Sequence, residues 1–149
     1  MPMSDRPAGD SAEQRDAETL ILAALSAEIG VQLAQRRFVD ARGAHVDVDG
    51  VAEDGSVLVE AWAHQGPPKP AQKAKVAADA LKLIWVDRSF YGGQARKILA
   101  LADPVAAMHF QGGSWIAAAL TDLGIEVCVV PLDARVRASL RAAQERQFR

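Results

Sequence analysis

The 149-residue chain has a single cysteine, no apolar run near the length of a membrane span, and no surplus of basic over acidic residues, with 17 Lys+Arg against 19 Asp+Glu. One cysteine excludes a disulfide framework within the chain. Cys128 lies in the apolar run "IEVCVVPL" and reads as a small buried hydrophobe in a reducing compartment. Apolar runs well below about 20 residues give no spanning helix, so no membrane is expected among the partners. The opening segment "MPMSDRPAGDSAEQRD" lacks the apolar stretch of a secretory signal, and a cytoplasmic protein is expected. A formal charge of -2 gives no global signature of nucleic-acid binding, so any basic surface must be local. His45, His64 and His109 are too scattered for a zinc signature, although His64 falls just past the acidic segment described below. The glycine pairs in "YGGQ" and "QGGSW" lack the Lys-Ser or Lys-Thr of a phosphate loop and read as turns and helix starts. No repeats or low-complexity blocks stand out.

Half of the residues are hydrophobic and 24% are charged, as in a globular protein with one core. Residues 1–16, rich in Pro, Gly, Ser and charge, read as a flexible tail, and 17–149 as a single α/β domain. Leu22, Leu25, Ile29 and Leu33 recur at helical spacing, which predicts a helix from Ala17 to about Arg37. "AHVDVDGVA" alternates, "EDGS" supplies a turn, and "VLVEAWA" resumes the alternation, so 45–63 reads as a β-hairpin. Three prolines in "HQGPPKP" stop it. A helix through Val76, Ala80, Leu81 and Ile84 follows, then a buried strand "KILALAD", a helix ended by Gly124, a buried strand "IEVCVVPL" and a last helix from Asp133 to about Gln147. The order helix, hairpin, helix, strand, helix, strand, helix implies a mixed sheet with helices on both faces.

The hairpin concentrates the chemistry. Period-two alternation sets Asp47, Asp49 and Val51 on one face of the first strand, and Leu58, Glu60 and Trp62 on one face of the second. Carboxylates converging in this way suit a hard cation such as Mg²⁺ and the hydrolysis of phosphate esters. Solvent-facing acids on an amphipathic hairpin would give the same pattern, and Asp47 reads as a solvated neighbour.

On these residues the chain resembles the core of the PD-(D/E)XK, or restriction-endonuclease-like, nuclease superfamily, over about Val46 to Leu83. Asp49 and Glu60 match its acidic positions, and Glu28 is the candidate for the glutamate that many members carry on the first helix. The resemblance implies an Mg²⁺- or Mn²⁺-dependent DNA endonuclease with Asp49 and Glu60 holding the metal. The chain departs from the motif at Trp62, where the superfamily has lysine. Some members place that lysine on the following helix. A helical wheel centred on Val76, Ala77, Ala80 and Ile84 selects Lys73 and sets Lys75 and Lys82 on the opposite side with Asp79; Gln72 is a further candidate to position water. Lys73 is equally a lysine snorkelling from a helix start. Trp62 reads as a core or cleft aromatic, or as one that stacks a base or blocks the site.

Lys69, Lys73 and Lys75 suggest an anionic partner beside the cleft, and Arg135, Arg137, Arg141, Arg146 and Arg149 give the last helix a basic side. The rival to the enzyme is a catalytically inactive nuclease-fold protein that binds nucleic acid or another protein. DNA, a protein partner and a second copy of the chain all stay open, with targeting left to a partner.

Overall fold

The alternating segments form adjacent strands in the computed structural model, which describes residues 12–147. The described residues run α1 (Ala12–Ile29), β1 (Leu33–Val39), β2 (His45–Ala52), β3 (Val57–Trp62), α2 (Pro70–Phe90), β4 (Arg96–Leu101), α3 (Pro104–Gln111), α4 (Trp115–Asp122), β5 (Ile125–Val129) and α5 (Ala134–Gln147). They build an open five-stranded sheet in the order β1-β2-β3-β4-β5. β1, β2 and β3 pair antiparallel, while β3, β4 and β5 pair parallel. The parallel half follows from the helices between its strands, since a parallel neighbour needs a crossover that a hairpin cannot supply.

Helices cover both faces, as the element order implied. On one side Leu58, Trp62, Leu99 and Leu101 pack with Val76, Ala80 and Leu83 of α2 and Phe110 of α3. On the other, Val57, Val59, Ala61, Ile98 and Ala100 pack with Ala17, Ile21 and Leu25 of α1 and Leu140 of α5. All six residues of β3 are buried, so this strand is the wall between the two cores. Among the described residues no helix is long and apolar enough to cross a membrane.

The first helix departs from expectation at both ends. It begins at Ala12, so 12–16 of the expected tail are helical; residues 1–11 lie outside the described residues, as does Arg149. It stops at Ile29 because Gly30 turns the chain with φ +70, a conformation that a side chain disfavours. Leu33, in phase with the helical stripe, instead opens β1, which pairs from Leu33↔Ala52 to Val39↔His45. The hairpin read from the sequence is therefore the second half of a three-stranded meander. Between β4 and β5 there are two helices, not one, because Gly112 and Gly113 interrupt the run. Asp103 caps α3 by accepting from the Val105 N–H, and Ser114 caps α4 by accepting from the Ala117 N–H. Asp133 caps α5 as expected, accepting from the Val136 N–H at 2.9 Å.

Candidate active site

Glu60 is the one charged residue of β3 and is only 3% exposed. Alternation sets it between Leu58 and Trp62, on the α2 side of the sheet. β2 and β3 are in register at only two pairs, Gly50↔Val59 and Val51↔Leu58. One step further in that register Asp49 would stand opposite Glu60, but there the ladder ends. The Asp49 carboxylate accepts the Ala61 N–H at 2.9 Å, taking the place of a backbone acceptor.

A bulge in β2 makes this arrangement possible. Ala34 pairs with Val51 and Arg36 with Val48, so Asp49 and Gly50 together face the single residue Gln35. Strict alternation would oppose Val48 to Val51; the bulge lets Val46, Val48 and Val51 all reach the α2-side core. It also separates the two aspartates. Asp47 is half-buried and clasped by Arg37 at 2.8 Å and 3.2 Å on the outer hairpin, whereas Asp49 turns to Glu60. At Gly50 a Cβ would stand 2.8 Å from Leu22 Cδ2 of α1 and 3.3 Å from Leu33 Cβ, so a side chain there would push Leu22 aside.

α2 supplies the cation, and it is Lys82. Its Nζ lies 2.7 Å from Glu60 Oε1 and 3.9 Å from Asp79 Oδ1, and Asp79 Oδ2 accepts from Lys75 Nζ at 3.1 Å. Lys75, Asp79 and Lys82 form one stripe at helical spacing, bordering the buried stripe Val76, Ala80, Leu83. The sequence wheel had put this stripe on the far side. The buried residues Val76, Asp79, Ala80, Leu83, Val86 and Asp87 centre the arc roughly a quarter turn away, at about 100° per residue. Lys73, the expected substitute for the missing lysine, falls at the opposite edge, half-buried, its side chain making no ion pair or hydrogen bond with a described residue. Gln72 is occupied as well, its side-chain oxygen accepting the Lys69 N–H at 2.7 Å at the start of the helix.

The electrostatics of the pair are those of crowded carboxyls. Burial, then the hydrogen bond and repulsion from Asp49, push Glu60 from its ordinary 4.5 up to about 10, with only Lys82 opposing. Glu60 thus holds its proton at neutral pH. Burial pulls Lys82 down, but attraction to Glu60, then Asp79 and Asp49, outweighs it, so the ammonium stays charged. Among the described residues Lys82 is the one cation in contact with Glu60, an ion pair at 2.7 Å to Oε1 that also helps keep the ammonium charged. The other fully buried acids differ. Asp87 accepts from the Ala95 N–H and Lys97 Nζ, each at 2.8 Å, and Asp103 accepts from the Val105 and Gly66 N–H groups.

Asp49 also lines an open groove of about 1480 Å³ between α1 and the β1–β2 hairpin. Glu18 of α1 lies on the same groove and helps hold the charge on Lys75. Glu28, the glutamate expected from the sequence, sits ten residues further along α1, about 15 Å at 1.5 Å per residue, where its charge acts on Cys128 of β5. Of Glu18 and Glu28, only Glu18 lines the groove with Asp49.

The remaining candidates fall into other roles. Trp62 is 7% exposed, stacked on His64 at 4.9 Å and edge-on to Phe110 at 6.0 Å; it is a core aromatic and has no free face for a base. His64 is 5% exposed, and burial lowers its pKa. Lys75 is committed to Asp79, and Lys69 lies at the start of α2, away from the carboxyl pair. Among the described residues no cluster of three or more His, Cys, Asp or Glu forms a metal site. Two carboxylates with water can hold a hard cation, and the two carboxyls crowded together at the end of the β2–β3 ladder fit one. No protein-family model, curated protein or solved structure matches the chain.

Proposed function

We propose that the chain is a metal-dependent phosphodiesterase of the restriction-endonuclease-like type, acting on DNA, with the lysine of its motif moved from the strand to α2. The observation that supports this reading is the convergence of Asp49 and Glu60 where β2 and β3 part, with Lys82 Nζ 2.7 Å from the buried Glu60 Oε1. Asp49 and Glu60 would hold Mg²⁺ or Mn²⁺, which supplies Lewis-acid polarisation of the phosphate and a more acidic bound water. Glu60 would have to give up its proton for the pair to hold such a cation. Lys82, held by Asp79, presents a positive charge to the developing phosphate charge or to the attacking water, the task of the missing strand lysine. The groove beside Asp49 gives an extended substrate access.

One observation favours a second reading. Glu60 is nearly closed off and Trp62 fills the lysine position as core, so the fold can be a non-catalytic module that binds nucleic acid or protein. Cleavage of single-stranded, duplex and branched DNA in Mg²⁺ and Mn²⁺ separates the two. In the nuclease reading Glu60→Ala and Lys82→Ala each lose at least 100-fold in rate, as removal of a charge-stabilising group does, while Lys73→Ala keeps its rate. No cleavage of any substrate by wild type, with no thermal stabilisation by either metal, rejects the enzyme.

A further inference from the structure

The basic side of α5 has no part in the carboxylate site, yet it closes a pocket of its own. We infer that the pocket between the β3–α2 loop and α5 binds a phosphate of a nucleic-acid backbone through Arg141 and Lys69. This inference rests on the proposed function for the identity of the ligand, since the pocket itself identifies only an anion.

The pocket, about 530 Å³, is lined by His64, Gln65, Pro67 and Lys69 from the loop and by Arg141, Gln144 and Glu145 from α5. Its walls are braced before any ligand arrives. Gln144 accepts the Gln65 N–H at 2.9 Å and donates to the Gln65 carbonyl at 3.2 Å, and Arg137 Nε donates to the Gln65 side chain at 3.4 Å. Asp103 takes the Gly66 N–H. Gln65 is consequently 4% exposed, and the loop is fixed against α5 by Gln144 and Arg137.

Two cationic side chains line the opening. The side chain of Arg141, one turn from Arg137, makes no hydrogen bond or ion pair with a described residue, unlike Arg37, Arg42, Arg96 and Arg146, each paired with a carboxylate. Lys69 stands across from it, with Glu145 the one acid on the wall. A guanidinium and an ammonium on the exposed rim of a braced pocket suit phosphate oxygens. His64 lies four residues past Glu60, so the pocket is on the order of 13 Å along the chain from the carboxylates at about 3.3 Å per residue. A strand reaching both sites spans several nucleotides.

The test measures binding of labelled single-stranded and duplex 20-mers to the full chain in EDTA, across a salt series. Arg141→Glu is set against Arg135→Glu, which makes the same charge change on α5 outside the pocket. Arg141→Glu should weaken binding by about tenfold and flatten the slope of log K against log salt by about 0.7 on single strands, one phosphate contact. Lys69→Gln should act in the same direction and Arg135→Glu should leave the slope alone. Unchanged circular dichroism and melting keep the variants interpretable. Equal effects of Arg141→Glu and Arg135→Glu, or no DNA binding by wild type at low salt, overturn the inference. Slope loss in Arg141→Glu without metal-dependent cleavage by wild type sustains the pocket and rejects the nuclease; cleavage with equal slopes does the reverse.

Discussion

Replacing Glu60 by glutamine keeps the shape of the side chain and removes its titration. Glu60 is 3% exposed, and its pKa is raised from 4.5 to about 10. The folded state therefore binds a proton that the unfolded chain releases above 4.5. For a raised acid the sign is fixed: the stability is fully present below the unfolded pKa and drains away as pH rises toward the folded one. The loss runs at about 1.4 kcal/mol per pH unit for one proton, and pH 7 lies about 2.5 pH units above 4.5, so wild type forfeits about 3.5 kcal/mol by neutrality. Glu60→Gln does not. The variant also gives up the contact with Lys82 at 2.7 Å, but Lys82 stays charged across this range, so that loss shifts the whole difference without tilting it. Urea unfolding of both proteins from pH 5 to pH 8, without metal, gives the difference in stability at each pH. It should climb in favour of Glu60→Gln by about 1.4 kcal/mol per pH unit. A flat difference would show that Glu60 is ionised in the fold and that Lys82 alone compensates its burial, and the proton held by Glu60 would have to be abandoned.

Two further outcomes follow from the same geometry. A cation held by Asp49 and Glu60 must displace that proton, so the rise in Tm on adding Mg²⁺ should be larger at pH 8 than at pH 6 and absent in Glu60→Gln; differential scanning fluorimetry reads it, and an equal rise at both pH values refutes proton displacement. Restoring the strand lysine by Trp62→Lys should not create or improve activity: it empties the contacts with His64 and Phe110 and buries a charge, at a cost of about 3–5 kcal/mol for the lost aromatic alone. A stable, active Trp62→Lys protein would show that position 62 faces the site.

Much of the architecture could be read from periodicity. The alternation over 45–63, the apolar strands β4 and β5 and the capping Asp133 all lie where they were expected. β1 was hidden because Leu33 continues the spacing of Leu22, Leu25 and Ile29, and Gly30, which breaks the helix at φ +70, was outweighed by that stripe. The bulge at Asp49 and Gly50 was equally silent: it is a relation between β1 and β2, and no pattern within β2 announces it. Only pairing makes Val48 and Val51 face one core and splits Asp47 from Asp49.

The carboxylates were legible, their cation was not. Asp49 and Glu60 were marked by being acidic within apolar alternation. Lys82 was missed because the small residues of α2 define its buried arc loosely. Including Ala77 and Ile84 turned the wheel towards Lys73, whereas Val76, Leu83 and Val86, all at most 1% exposed, fix it on Lys82's side. A weak signal existed in the spacing Lys75, Asp79, Lys82, a charged stripe directly beside an apolar one. Glu18 was passed over for Glu28 because the apolar stripe leaves both available, and only the packing of α1 over the hairpin tells which end meets Asp49.

Asp87, Asp103 and Glu60 are all carboxyls removed from water, but the fold treats them differently. Asp87 and Asp103 each close a turn or a helix start, and backbone N–H groups answer them. Glu60 closes nothing. It sits in a strand whose other residues are apolar, opposite a second carboxyl, with a lysine side chain and no backbone N–H against its Oε1. A leucine or valine there would pack with Leu58 and Trp62 and relieve the repulsion, since replacing buried charges with apolar groups is often neutral or stabilising. Structural need thus accounts for two of the three acids and leaves the third unexplained. A local breach of the rules obeyed elsewhere in a fold is a mark of a site kept for chemistry, and here the breach, the parting of β2 from β3 and the charge of Lys82 coincide at one place.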